Sequence, residues 1–411
     1  MRLAWFSPLP PIPSGIADYS AELLPLIGRD AEVDVYSPRP GRNKKLHVPA
    51  GTTVHLPGSF RRRADGHDAV FYHLGNNPHH EYVYGATRER PGIAVFHDFV
   101  LHHLIAHLFA EAKPNWGRYR SVLTEDLGEI GSTLTELRMR GVATGTEHFM
   151  FPLNRHIAAQ ARAIVVHSEE AREKMADVAP HVPITVIPHH AGSPPAEVAG
   201  VTREAARAQL GIPSGAFVVG QFGFITVPKQ PGAVLRGFAR LLEQRPDALL
   251  LLVGQNQTPG RALDRLIRSV GVGDRVRVVG FVDLSTFYRY LKAVDVVVNL
   301  RYPSAGEASG TFARALAEGR AVIANDLGSF AEVPSDVVLK VEVDGDQAQE
   351  LGGHLMRLAV DPGFKASLEQ RARHYALTVL DQGRCAGLYL EVARSVAGER
   401  ITSHSPRTPP R

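Results

Sequence analysis

One cysteine, Cys385, stands in a chain of 411 residues. No intrachain disulfide can form, which excludes the cross-linked secreted scaffolds and fits a reducing, cytoplasmic setting. Long apolar runs are missing as well. None approaches the ~18 residues that cross a bilayer, and Pro8, Pro10 and Pro11 follow Met1–Phe6 before a signal-peptide core could form. A large charge excess is lacking too: 46 basic against 42 acidic residues leave +4, too small and too dispersed for a nucleic-acid surface. The basic clusters Arg42–Lys45 and Arg61–Arg63 read as solvated loops, and a peripheral position at the inner face of the membrane stays open. No Gly-x-Gly-x-x-Gly follows an early strand. Neither Ser7–Gly15 nor Gly220–Gly223 fits it, which speaks against a nicotinamide-dependent oxidoreductase.

What is present is ordinary globular composition, 44% hydrophobic and 21% charged, at a length that suits about two domains. Short apolar runs alternate with helical stretches. Strands are predicted at 3–6, 33–36, 69–72, 93–96, 163–166 and 184–187, then at 217–222, 248–253, 276–279, 296–300, 321–324 and 337–339. Ile16, Tyr19, Leu23 and Leu26 share one helical face between the first two strands, which is βαβ logic. The fold class is α/β, two Rossmann-like doubly wound domains in series. The expected boundaries are 1–190 for the first domain, 191–213 for a linker broken by Gly192–Pro195, and 214–375 for the second domain. A C-terminal helix at 376–398, packing back toward the first domain, and a disordered tail at 399–411 complete the division.

In such sheets ligands sit beyond the carboxyl ends of the strands, so the chemistry is sought in the loops that follow them. The loop from Arg301 to Gly310 carries Glu307, then Ser309 and Gly310 opening a helix with Thr311, with Gly319 at its predicted C′ position. Small residues there let backbone amides approach an anion, and the first turn contributes roughly half a positive charge. Lys229 ends another such loop as a movable point charge suited to a diphosphate. Gly254 and Phe281 follow strands and are candidates for contact with a nucleotide base. In the first half, Ser14–Gly15 opens a helix, while His97 and Asp98 follow a strand. There His97 could donate to a sugar hydroxyl or phosphate oxygen, with Asp98 orienting it. His103 and His107 have a metal-ligand spacing but no Cys and no His-Glu-x-x-His around them, so helix-face histidines are the reading and no metal is expected.

The pattern resembles glycosyltransferase family 4, the retaining, group 1 enzymes of GT-B fold. The resemblance rests on Gly15 before Ile16–Tyr19, His97–Asp98, His167–Ser168, Val186–Pro188, the Lys229 loop, and above all Glu307–Gly310 running into Gly319–Ile323. It implies two facing domains with an interdomain cleft, and transfer of a sugar from a nucleoside diphosphate sugar to a glycan, lipid-linked or small-molecule acceptor. The anomeric configuration would be retained, with neither cofactor nor metal. The second domain would hold the nucleotide and the first the acceptor. Lys229 and the amides near Ser309, Gly310 and Thr311 would neutralise the departing diphosphate, Glu307 would hold the donor sugar, His97 would sit beside the reacting centre, and Gly15 would lie against the phosphates.

Two positions depart from the family pattern. Its second Glu would fall at Arg314 or Ala315, and a guanidinium cannot accept a ribose hydroxyl. Arg314 is then left to touch phosphate or pair with Glu318. Phe224 stands where an arginine often precedes the loop lysine. These departures leave open a second function, a catalytically degenerate sugar-nucleotide-binding subunit partnering another transferase. Asp344–Asp346, the sole Asp-x-Asp, suits a turn better than a metal.

Overall fold

The computed structural model describes residues 1–41 and 44–403. Among these, thirteen strands form two sheets. The first contains β1 (Arg2–Phe6), β2 (Glu32–Tyr36), β3 (Thr52–His55), β4 (Ala69–Leu74), β5 (Ile93–Phe96), β6 (Ala163–Val166) and β7 (Ile184–Val186). Its order is β3-β2-β1-β4-β5-β6-β7, and the pairings are parallel. The second contains β8 (Val218–Phe222), β9 (Leu249–Val253), β10 (Val276–Gly280), β11 (Val296–Asn299), β12 (Ala321–Asn325) and β13 (Leu339–Val341), in the order β10-β9-β8-β11-β12-β13, again parallel. Continuous apolar segments such as Leu249–Val253 are buried along their whole length, as a parallel sheet covered on both faces requires. The edge strand β3, with sequence Thr-Thr-Val-His and only partial burial, carries too little apolar signal for sequence reading to find it.

By its contacts the chain forms two compact units. Unit 1 holds Met1–Pro188, Ala305–Ala308 and the chain from Gln382 onward; unit 2 holds His189–Ser304 and Ser309–Asp381. The expected linker at 191–213 is corrected. It carries helices Ala196–Ala199 and Arg203–Gln209, and Val198, Ala206 and Ile212 lie in the unit 2 core. The physical reason is Arg207. Its buried guanidinium bonds Asp295 at 2.7 Å and the carbonyls of Ala293, Ser214 and Ala216 at 2.9, 2.7 and 3.1 Å, which pins the segment down. The final helix runs from Gln382 to Ser403, so its backbone extends past the expected end at 398. The rest of the expected tail, 404–411, and Arg42 of the first basic cluster lie outside the described residues. Among the described residues no helix is long and apolar enough to cross a membrane.

Candidate functional site

In unit 2, strand β8 leads into Gly223, whose φ is +85°. A Cβ there would fall 2.4 Å from Lys229 Nζ and 3.7 Å from Thr311 Oγ1, so only glycine leaves room for the ammonium. Lys229 Nζ donates to the Phe222 carbonyl at 2.9 Å, which holds the charge at the strand's end. Gln221 Nε2, in turn, donates to the Lys229 carbonyl at 2.7 Å. Thr311 belongs to the first turn of the helix Gly310–Ala317, so the lysine and that helix N-terminus converge on one spot. Ser309 is the N-cap: its Oγ accepts from Phe312 N and donates to Asn299 Oδ1, each at 3.3 Å. Behind it Asn299 Nδ2 is buried without a hydrogen-bond partner. The helix ends in a Schellman motif, with Gly319 at φ +60° and its amide on Leu316 O, while Arg320 N reaches Ala315 O, both at 2.9 Å.

The other unit 2 candidates separate from this cluster. Gly254, at φ +148°, packs against the Gly223 backbone, and a Cβ would meet the Gly223 carbonyl oxygen at 2.1 Å. Its place is against the loop that follows β8. Phe281 follows β10 and is 69% exposed, open to a flat ligand. Arg314 is buried and turns inward: Nη1 donates to Tyr288 Oη at 2.8 Å, and that hydroxyl donates to the Gly192 carbonyl at 2.7 Å. The expected Arg314–Glu318 pair is corrected, because Glu318 is taken by Lys292 at 2.7 Å. Ala315 lies in the core, so neither position offers an acceptor to a ribose.

In unit 1, the loop after β1 runs into the helix Gly15–Ile27, capped by Ser14 Oγ accepting from Ile16 N at 3.3 Å. Gly15 is exposed, and nothing lies within 4 Å of where its Cβ would be. His97 follows β5 and is 6% exposed. Its Nε2 is 2.9 Å from His73 Nδ1, its Nδ1 is 3.1 Å from His167 Nε2, and His167 Nδ1 is 2.7 Å from the Ile187 carbonyl. A carbonyl only accepts, so His167 carries its proton on Nδ1 and accepts on Nε2, which sets His97 and then His73 to the same tautomer. Burial keeps two of these rings neutral: it pushes His167 down to about 4 against the pull of the Ile187 carbonyl, and holds His73 well below the usual range. Tyr19 packs edge-on to His97 with centroids 4.8 Å apart.

His73 and His167 hold the His97 ring through its two nitrogens. Asp98 Oδ2 accepts from the Asn76 amide at 2.7 Å and ties the loop after β5 to the loop after β4. Buried Asn154 donates from Nδ2 to the Phe99 carbonyl at 2.6 Å, bracing the same loop; its neighbour Leu153 is held at φ +50°. Ala305–Ala308 belongs to this unit by contacts: Val100 N donates to Ala305 O at 2.9 Å, and a Cβ on Gly306 would fall 2.6 Å from Phe99 Cβ. Glu307 Oε2 accepts from Ala305 N at 2.7 Å, so the carboxylate folds onto its own loop. One turn of sequence thus divides, with Glu307 in unit 1 and Ser309–Thr311 in unit 2.

The histidine pair 103/107 spans the change from the helix His102–Ala106 to a π-turn at His107–Glu111, and the His103 ring lies against His148 with centroids 5.5 Å apart. His102 is a core residue, bonded to Tyr119 Oη at 2.8 Å and lowered by burial to about 3. Among the described residues no group of three or more His, Cys, Asp or Glu is placed to hold a metal ion. His73 escaped sequence reading because it lies just past the predicted strand end at Tyr72; one more residue of strand would have put it at the carboxyl edge.

Residues 216–361 match the family model described as Glycosyl transferases group 1. In this segment the chain is similar to the group 1 glycosyl transferases. The D-inositol 3-phosphate glycosyltransferase of Salinispora arenicola is 33% identical over 216 residues, covering 49% of this chain and 46% of that protein. The chain spans about half the length of the curated relatives it matches first. Sucrose-phosphate synthase from Thermosynechococcus elongatus superposes with a TM-score of 0.67 at 18% identity, over 97% of this chain and 100% of that one. Anabaena HepE, solved with UDP and glucose, gives 0.67 at 16%, over 96% and 100%. Both units thus carry the parallel α/β architecture of the GT-B glycosyl transferases, and the matched segment takes in Lys229, Ser309 and Gly310.

Proposed function

We propose that this chain is a retaining, metal-independent glycosyltransferase that moves a sugar from a nucleoside diphosphate sugar to an acceptor. The observation that carries the reading is the convergence of Lys229 Nζ and Thr311 on the space that Gly223 leaves open, at the first turn of the helix Gly310–Ala317. A diphosphate leaving group gains charge as the glycosidic bond breaks, and a fixed ammonium with preorganised amides stabilises that charge without a cation. Phe281 supplies an exposed aromatic face for the base, and Glu307 a carboxylate for the hydroxyls of the donor sugar. His97, held in one tautomer, and the loop braced by Asp98 and Asn154 shape the acceptor side. The acceptor is a glycan, a lipid-linked sugar or a small molecule, taken up in the cytoplasm or at the inner face of the membrane. D-inositol 3-phosphate, named in the relatives, is the acceptor to try first, and UDP-glucose, bound by the Anabaena protein, is the first donor.

The test is a panel of UDP-, GDP- and ADP-sugars incubated with the full chain, with and without chelator, and scored for nucleoside diphosphate release with and without acceptor. Release that survives chelator supports the reading. No release from any donor, or release abolished by chelator, contradicts it.

A further inference from the structure

Unit 1 holds a cavity of about 140 Å³ at the other end of the sheet from His97, lined from the helices Glu81–Thr87, Trp116–Leu127 and Arg155–Ala158. It reaches Gly92, the residue before β5, whereas His97 and Asp98 follow that strand. Its base is therefore the amino edge. A Cβ on Gly92 would meet Tyr72 Cε2 and the Val70 carbonyl oxygen, each at 2.7 Å, so the chain passes the Tyr72 ring only as glycine. Tyr72 Oη donates to the Arg90 carbonyl at 2.9 Å and fixes this wall.

Two guanidiniums, Arg88 and Arg118, line the cavity against a single carboxylate, Glu125. Among the described residues neither arginine is paired with a carboxylate, and Glu89, next to Arg88 in sequence, is taken by Arg61 at 3.2 Å. Arg118 is held instead over the Phe109 ring, 5.3 Å from its centroid, and Phe109 packs edge-on to Tyr84 with centroids 5.9 Å apart. The buried wall adds no charge. His156 Nε2 lies 3.1 Å from Tyr84 Oη, and burial, with the Arg88 charge beside it, pushes the ring down to about 4, so it is neutral at neutral pH. The lining thus keeps a positive excess, carried by two planar forks. A carboxylate is satisfied by one such fork, whereas a phosphate has oxygens for both.

We propose that this cavity is a binding site for a phosphate group, held between Arg88 and Arg118, with free phosphate or a phosphorylated sugar as its source. Every residue of the site belongs to unit 1, so the proposal stands apart from the donor site around Lys229.

The experiment titrates the full chain with inorganic phosphate, and separately with glucose 6-phosphate, at constant ionic strength, and follows the melting midpoint that a bound ligand raises. Arg88→Met, Arg118→Met, Glu125→Gln and Lys229→Ala are measured beside the natural chain, each first without ligand to establish that it is folded. A charge-assisted hydrogen bond to phosphate is worth on the order of a tenfold to hundredfold in affinity. Each arginine variant is expected to lose that much for both probes, and Lys229→Ala to bind as the natural chain does. Glu125→Gln, which removes the like charge, should bind inorganic phosphate about two- to fivefold tighter. Tighter binding of glucose 6-phosphate, with the same dependence on both arginines, identifies a phosphorylated sugar as the ligand; equal or weaker binding identifies free phosphate. No binding by the natural chain, an arginine variant that binds undiminished, or loss in Lys229→Ala alone overturns the proposal. If an arginine variant does not fold, Glu125→Gln decides, because unchanged or weaker phosphate binding there overturns it as well.

Discussion

At the carboxyl edge of the first sheet the ionisable side chains are buried and turned on one another, whereas at the edge of the second they are half-buried and gathered around glycines. His73, His97 and His167 form a hydrogen-bonded row that ends on the Ile187 carbonyl. Lys229 Nζ and Thr311 Oγ1 instead meet beside Gly223, at the first turn of the helix Gly310–Ala317. On the proposed function the first edge supplies rigid walls for an acceptor, and the second gathers positive charge for a diphosphate.

The largest effect that would sharpen this contrast is expected at Lys229. Lys229→Ala should lower turnover by roughly a hundred- to a thousandfold while the melting midpoint stays near that of the natural chain. Equal loss on replacing His97 would erase the distinction between the two edges.

The second concerns acid. His80 and His167 are held by burial at about 4, and His73 is lowered as well, while an unfolded histidine titrates near 6.5. The unfolded chain therefore binds more protons below ~6.5. The stability these rings contribute is fully present above that pH and is lost as pH falls toward 4, by up to about 3 kcal/mol for His80 and for His167. Both tryptophans, Trp5 and Trp116, lie in unit 1, so their fluorescence reports it alone. A fluorescence transition between pH 6.5 and 4 is expected, and His80→Gln should move it to lower pH. A flat trace across that range would contradict the neutral histidine row.

Gly254→Ala comes third. Its φ of +148° and the 2.1 Å approach to the Gly223 carbonyl should cost about 1–3 kcal/mol of stability, with nucleotide affinity falling as the Gly223 turn shifts. The smallest effect belongs to Arg314→Met. Its guanidinium faces Tyr288, so nucleoside diphosphate affinity should change less than about threefold, within ~0.7 kcal/mol. A large loss there would return Arg314 to the nucleotide.

Much of this architecture was legible in the chain. Parallel strands buried on both faces, such as Val296–Asn299 and Leu249–Val253, announce themselves as unbroken apolar runs, and Gly319 marked the helix end because only a left-handed C′ suits it. The edge strand β3 did not, since an edge needs little burial. The packed segment at 191–213 was hidden because its anchor, Arg207, is a charged residue that counts as solvated until Asp295 and three carbonyls surround it. At the site, Lys229 and Thr311 meet beside Gly223. The histidine row was not legible, because it depends on residues far apart in sequence meeting at angles that spacing does not encode.

The central claim is that the second sheet's edge receives the diphosphate. A crystal structure of the full chain with the nucleoside diphosphate it binds tightest tests it most directly. The account predicts phosphate oxygens within hydrogen-bond distance of Lys229 Nζ and of the amides of Gly310 and Thr311; phosphates seated elsewhere, with that space still filled by water, would contradict it.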